Sequence, residues 1–207
     1  GTFVNDEDHK FTDSLELDIP MTSDSIVFAN MVLNTLHMTN ISDLSPRIFN
    51  FVEPMTIDQP EELGITGEGT FTVNGSGSDA SANILKMNNL SAFDLEKATD
   101  LYLNNFTIQD STTALKLNNS DSSATLDNVT LENNQVAINN IQGELTLQNN
   151  TTIESGSGTN ANSVTNAGTL TIADSTINSS LTNSGTSNLN NGSHIRSEEH
   201  TSELQSH

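Results

Sequence analysis

Carboxylates, imidazoles and basic side chains at fixed separations are the raw material of a catalytic or metal site. This chain holds few such groupings, although it carries 27 Asp and Glu against six Lys and Arg, five His and a formal net charge of −21. Asp6, Asp8 and His9 are metal-ligand types, but they stand in a polar lead-in, residues 1–14, that reads as loose chain. His37 alternates with Leu36 and Met38, which points it outward in a stretch that offers no partner ligands. Cleaving a polysaccharide takes a strong base beside carboxylates, or two carboxylates on opposite sides of the bond. Before residue 196 the chain has a single Arg, Arg47, in its irregular N-terminal part, and acids such as Asp127 and Asp174 stand singly at turns. Gly64, Gly67 and Gly69 imitate a phosphate loop, yet no Lys follows them and no helical pattern opens there. Lys86 and Lys116 hold matching places in Ile84-Leu-Lys-Met-Asn-Asn89 and Ala114-Leu-Lys-Leu-Asn-Asn119. Such a pair could grip an acidic sugar, but repeats copy solvent-facing residues, and that is the reading adopted. No catalytic residue, metal or cofactor is expected.

What would position any site is a repeat. Leu101-Tyr-Leu-Asn-Asn-Phe-Thr-Ile108 returns as Ala124-Thr-Leu-Asp-Asn-Val-Thr-Leu131, Leu145-Thr-Leu-Gln-Asn-Asn-Thr-Thr-Ile153, Leu170-Thr-Ile-Ala-Asp-Ser-Thr-Ile177 and a degenerate Ser187-Asn-Leu-Asn-Asn-Gly-Ser-His-Ile195. Taking Leu103, Leu126, Leu147, Ile172 and Leu189 as equivalent gives steps of roughly 23, 21, 25 and 17 residues, within the range of solenoid repeats. Each copy holds two short runs of alternating apolar and polar residues, which read as strands with one buried face. A third run lies between copies, as in Gln135-Val-Ala-Ile-Asn-Asn140, Ser163-Val-Thr-Asn166 and Ser180-Leu-Thr-Asn183.

Three short strands per coil predict an all-β fold, a right-handed parallel β-helix or solenoid, truncated at its C-terminus. A leucine-rich repeat would need a helical half in each unit, whereas the intervening segments are Ser, Thr, Asn and Gly, as in residues 154–162. The expected organisation is a lead-in over residues 1–14, N-terminal coils or a cap over 15–64, repeats over 65–195 and a tail over 196–207. Within 15–64, Leu15-Glu-Leu-Asp-Ile19, Ile26-Val-Phe28, Met31-Val-Leu33, Leu36-His-Met38, Ile48-Phe-Asn-Phe51 and Met55-Thr-Ile57 are strand-like. The coil from the Lys86 run to the Lys116 run is long, about 30 residues. Its excess is expected over residues 90–100, where Ala92-Phe-Asp-Leu-Glu-Lys-Ala98 could be a strand or one helical turn.

The repeat core is assigned to Leu103, Ile108, Leu117, Leu126, Leu131, Ile138, Leu147, Ile153, Ile172 and Ile177. Asn105, Asn128, Asn149, Asp174 and Asn191 fall at sharp turns; Asn and Asp tolerate left-handed backbone, and their side chains can bond along the axis as a ladder. Thr125, Thr146 and Thr171 share one outward position and Thr130, Thr152 and Thr176 another. Threonine is favoured in strands, so these rows are read as structural, with ice or flat-surface binding as a further alternative. Sequons such as Asn105-Phe-Thr107 arise by chance in so Asn-rich a chain.

Residues 196–207 break the pattern and resemble the in-frame translation of a sequencing adapter over all twelve positions, so the natural C-terminus is expected to be missing and the tail to have no function. The segments Gly168-Thr-Leu-Thr-Ile-Ala-Asp-Ser-Thr-Ile177 and Ala124-Thr-Leu-Asp-Asn-Val-Thr-Leu-Glu-Asn133 resemble bacterial autotransporter passengers, polymorphic outer-membrane proteins and pectate-lyase-like adhesive domains. That resemblance implies an extracellular or cell-surface bacterial adhesin or stalk, not an enzyme, with a host glycan or surface protein as partner. Pectinases share the fold, and Gly192-Ser-His-Ile-Arg196 is faintly similar to one of their motifs, so a polysaccharide lyase or hydrolase is the alternative. One Tyr and no Trp leave few rings to stack sugars. The acidic balance argues against nucleic acid, and no run of 18 apolar residues exists to insert in a membrane.

Overall fold

The computed structural model describes residues 15–19, 47–51, 56–58, 64–65 and 69–196. The strand-like runs at 26–28, 31–33 and 36–38, the Asp6, Asp8 and His9 group, His37, Gly67 and the tail from 197 lie outside the described residues. The chain is an all-β parallel solenoid built from three sheets.

Sheet A stacks β1 (Leu15–Ile19), β2 (Arg47–Phe51), β5 (Gly69–Asn74), β8 (Thr99–Asn104), β11 (Ser123–Asp127), β14 (Glu144–Gln148), β17 (Thr169–Ile172) and β20 (Thr186–Leu189) in that order. Sheet B stacks β3 (Thr56–Asp58), β6 (Ile84–Lys86), β9 (Thr107–Gln109), β12 (Thr130–Glu132), β15 (Thr152–Ile153), β18 (Thr176–Ile177) and β21 (His194–Ile195). Sheet C stacks β4 (Gly64–Ile65), β7 (Phe93–Leu95), β10 (Thr113–Leu117), β13 (Val136–Asn140), β16 (Ser163–Asn166) and β19 (Leu181–Asn183). The chain passes from A to B to C and returns to A one rung further on, so neighbouring strands are parallel throughout.

Period-two alternation fixes which side chains enter the column, because a one-residue slip would turn every apolar side chain out. In sheet A the register superposes Val73, Leu103, Leu126, Leu147, Ile172 and Leu189. In sheet B, Leu85, Ile108, Leu131, Ile153, Ile177 and Ile195 line up. Sheet C adds Phe93, Leu115, Ile138, Val164 and Leu181. Most of these are almost fully buried, and only the last rung loosens, where Leu189 is 46% exposed. Leu117 does not stack on Ile138; it faces Asn140, at the point where the column changes character.

The step of about 30 residues read from the Lys86 run to the Lys116 run is not one coil, because the two runs lie in different sheets and sheet B returns from Leu85 to Ile108; the long coil is Val73 to Leu103 in sheet A. Of the two alternatives for residues 92–98 the strand is the one formed: Phe93–Leu95 is the regular sheet C strand of its coil, not an excess. The insertion is residues 75–83, between sheets A and B, holding one 3₁₀ turn at Ala80–Ala82 whose start is capped by Asp79 accepting from Ser81 N at 3.0 Å. Buried Asn83 clamps it, donating to Ser76 O at 2.9 Å and accepting from Ser76 N at 3.1 Å. Thr107 Oγ1 then donates to Ala80 O at 3.1 Å, which seats the insertion on the next rung.

Candidate recognition surface and the ladders that hold it

Each corner of the column turns by a polar ladder. At the A to B corner, Asn105, Asn128, Asn149 and Asp174 all have left-handed φ, between 48° and 60°. In the last coil that conformation belongs to Gly192, φ 80°, and Asn191 precedes it. Asn128 Nδ2 donates to Asn105 Oδ1 at 2.9 Å and to Ser78 O at 2.8 Å, tying the insertion down. Asn149 Nδ2 donates instead to Asp127 Oδ2 at 2.7 Å, an acceptor that also receives Gln148 Nε2 at 2.9 Å. Asp127 is therefore a ladder acceptor, and Asp174 N donates to Asn191 O at 3.3 Å. An Asn128→Ala variant loses both side-chain bonds and strains the left-handed position; it should cost about 1 to 2 kcal/mol in chemical denaturation.

Two further ladders run inside the corners. At the B to C corner, Ser111 Oγ donates to Asn134 Oδ1 at 2.6 Å and Asn134 Nδ2 to Asn162 Oδ1 at 3.0 Å, with all three residues buried. Outside this row, Asn133 Nδ2 donates to Asp110 Oδ1 and Asn160 Nδ2 to Asn133 Oδ1 at 3.1 Å. At the C to A corner the inward stack changes from Leu95 and Leu117 to Asn140, Asn166 and Asn183. Asn140 Nδ2 donates to Asn166 Oδ1 at 2.8 Å and Asn166 Nδ2 to Asn183 Oδ1 at 2.7 Å. Glycines are required beside this row: a Cβ on Gly168 would lie 2.3 Å from Gly143 O, and one on Gly185 would lie 2.1 Å from Gly168 O. The spacing was present in the chain as Asn140-x-x-Gly143, Asn166-x-Gly168 and Asn183-x-Gly185.

Lys86 and Lys116 are not equivalent. Lys86 is in sheet B opposite Gln109, whereas Lys116 is in sheet C between Asp94 and Asn139. The motif match misleads because both runs share the alternation that any outward-facing strand position copies. Lys116 Nζ lies 2.9 Å from Asp94 Oδ2, with both side chains about one-third exposed. A Lys116→Gln variant should lose no more than about 1 kcal/mol, and less in high salt, as expected for a surface ion pair.

The outer face of sheet A is where these supports leave a broad, regular surface. From β5 to β20 its central row is Thr72, Tyr102, Thr125, Thr146, Thr171 and Asn188, one residue per rung. On one side run Thr70, Asp100, Ser123, Glu144, Thr169 and Thr186, with Ser123 Oγ donating to Asp100 Oδ1 at 2.6 Å. On the other run Asn74, Asn104, Asp127 and Gln148, where Asn104 Nδ2 donates to Asn74 Oδ1 at 2.6 Å. Tyr102 is 39% exposed and has a threonine opposite it on each neighbouring strand. The other threonine row, Thr107, Thr130, Thr152 and Thr176, is in register on sheet B, but Thr107 is buried under the insertion. Lys86, Lys97, Lys116 and Arg196 lie off sheet A, and Arg47 is in its β2, in register with Phe71; from β5 to β20 the sheet carries no Lys or Arg and its outward charges are Asp100, Asp127 and Glu144. No family model, curated protein or solved structure matches the chain.

Proposed function

We propose that the chain is part of an exported bacterial surface protein in which the solenoid acts without catalysis, as an adhesin or stalk. The observation that carries this reading is the outer face of sheet A, an exposed tyrosine set among registered hydroxyl, amide and carboxylate rows on a hydrogen-bonded scaffold. A ring with a polar tip can lie against a sugar or a side chain, while short neighbours leave room for it. From β5 to β20 that face carries acidic groups without a compensating base, which opposes acidic glycans and favours neutral or basic partners. The partner is a host glycan or a surface protein.

Binding to arrays of glycans and of host surface proteins tests the reading. Tyr102→Ala should weaken a bound partner at least about tenfold while leaving the fold intact, since the side chain points out of the column. Release of unsaturated sugar products from a polysaccharide would replace the adhesin by a lyase. The in-register Thr125, Thr146 and Thr171 favour a second reading, binding to ice or another flat lattice. Thermal hysteresis in solution would select it.

A further inference from the structure

The chain contains two Asn-Gly dipeptides, Asn74-Gly75 and Asn191-Gly192. In this dipeptide the glycine nitrogen can reach the side-chain carbonyl carbon of the asparagine with no Cβ in the way, and a five-membered ring makes the attack intramolecular. Sequence alone ranks the two sites equally, but the fold does not. Gly75 N donates to Asn104 O at 2.8 Å, and Asn74 Oδ1 accepts from Asn104 Nδ2 at 2.6 Å, so both reacting groups are held on the neighbouring strand. Gly75 is also pressed against the next rung, where a Cβ would lie 2.0 Å from Asn105 O.

Asn191 and Gly192 are both exposed, at the A to B corner of the last described rung. Among the described residues Gly192 N–H has no acceptor, while its neighbours are tied, Ser193 N to Asn190 O at 3.2 Å and Asp174 N to Asn191 O at 3.3 Å. The corner accepts only glycine there, since its φ is 80° and a Cβ would lie 2.0 Å from Asp174 Oδ1.

We infer that Asn191 is a self-modifying site that deamidates in the folded protein, whereas Asn74 is protected by its ladder. Gly192 N gives its proton to a solvent base and forms a bond to Asn191 Cγ. The C–N bond to Nδ2 breaks, and that nitrogen takes a proton from water and leaves as ammonia. Water then opens the cyclic imide at either carbonyl, giving aspartate or isoaspartate. Nothing is oxidised or reduced. The product adds a carboxylate beside Asp174, and the isoaspartate form lengthens the backbone by a methylene. That change falls in the corner that sets Thr176 opposite His194 and Ile177 opposite Ile195, so β21 loosens from β18.

Two hydrogen bonds must break at Asn74 and none at Asn191, so the rates should differ on the order of tenfold to a hundredfold. The test incubates the full chain in neutral buffer and maps its peptides by tandem mass spectrometry over time. A gain of one mass unit, split between aspartate and isoaspartate, is expected at Asn191 while Asn74 is retained. In denaturant the two sites should convert at similar rates. An unchanged Asn191, equal rates in the folded chain, or the same preference after unfolding would each overturn the inference.

Discussion

Asn166→Asp is expected to remove on the order of 3 to 5 kcal/mol of stability at neutral pH. Asn166 is fully buried, and its Nδ2 faces three acceptors: Asn183 Oδ1 at 2.7 Å, Thr186 O at 3.0 Å and Gly168 O at 3.3 Å. A carboxylate would set oxygen against oxygen at a position closed off from solvent. Burial and those acceptors favour the protonated acid, so the folded-state pKa of the new Asp rises above its unfolded value of about 3.9. The sign follows from that direction. Stability relative to wild type is retained below the unfolded pKa and is lost as pH rises through the raised folded value. Denaturant titrations of variant and wild type at pH about 4 and about 7 check it; an equal deficit at both would mean that lost shape, not charge, is the cause.

Leu126→Ala should cost about 2 to 5 kcal/mol, with Thr125→Ala within about 0.5 kcal/mol as its outward control. Leu126 is fully buried between Leu103 and Leu147, so the cavity would sit in the middle of a stack. A solenoid distributes stability over nearest-neighbour interfaces. Weakening this rung should therefore also split the unfolding transition, with hydrogen exchange rising first in β11 and its two neighbours in sheet A. A single sharp transition shifted as a whole would contradict nearest-neighbour coupling.

The ladders bear on the proposed surface as much as on stability. The A to B corner sets the pitch of sheet A through Asn128 and Asp127, and the insertion held by Asn83 braces the same corner one rung earlier. Tyr102 sits on the strand between these supports, so a partner would meet a ring on a fixed backbone rather than on a mobile loop.

The sequence by itself determined the strands, their inward faces and the superposition of Leu103, Leu126, Leu147, Ile172 and Leu189. Alternation with period two and short polar turns is a local pattern, and only one register buries every aliphatic. It also marked Asn105, Asn128 and Asp174 for sharp turns, because left-handed backbone is a property of the residue itself. Tertiary structure decided what local pattern leaves degenerate. An asparagine facing inward and one facing outward look alike in the chain, so Asn140, Asn166 and Asn183 were separated from the outer turn residues only by what the next rung offers their amides. The same ambiguity made Lys86 and Lys116 look equivalent, so that the step between them read as one long coil: alternation tells which way a side chain points, whereas the sheet it belongs to depends on how many residues each preceding corner consumes.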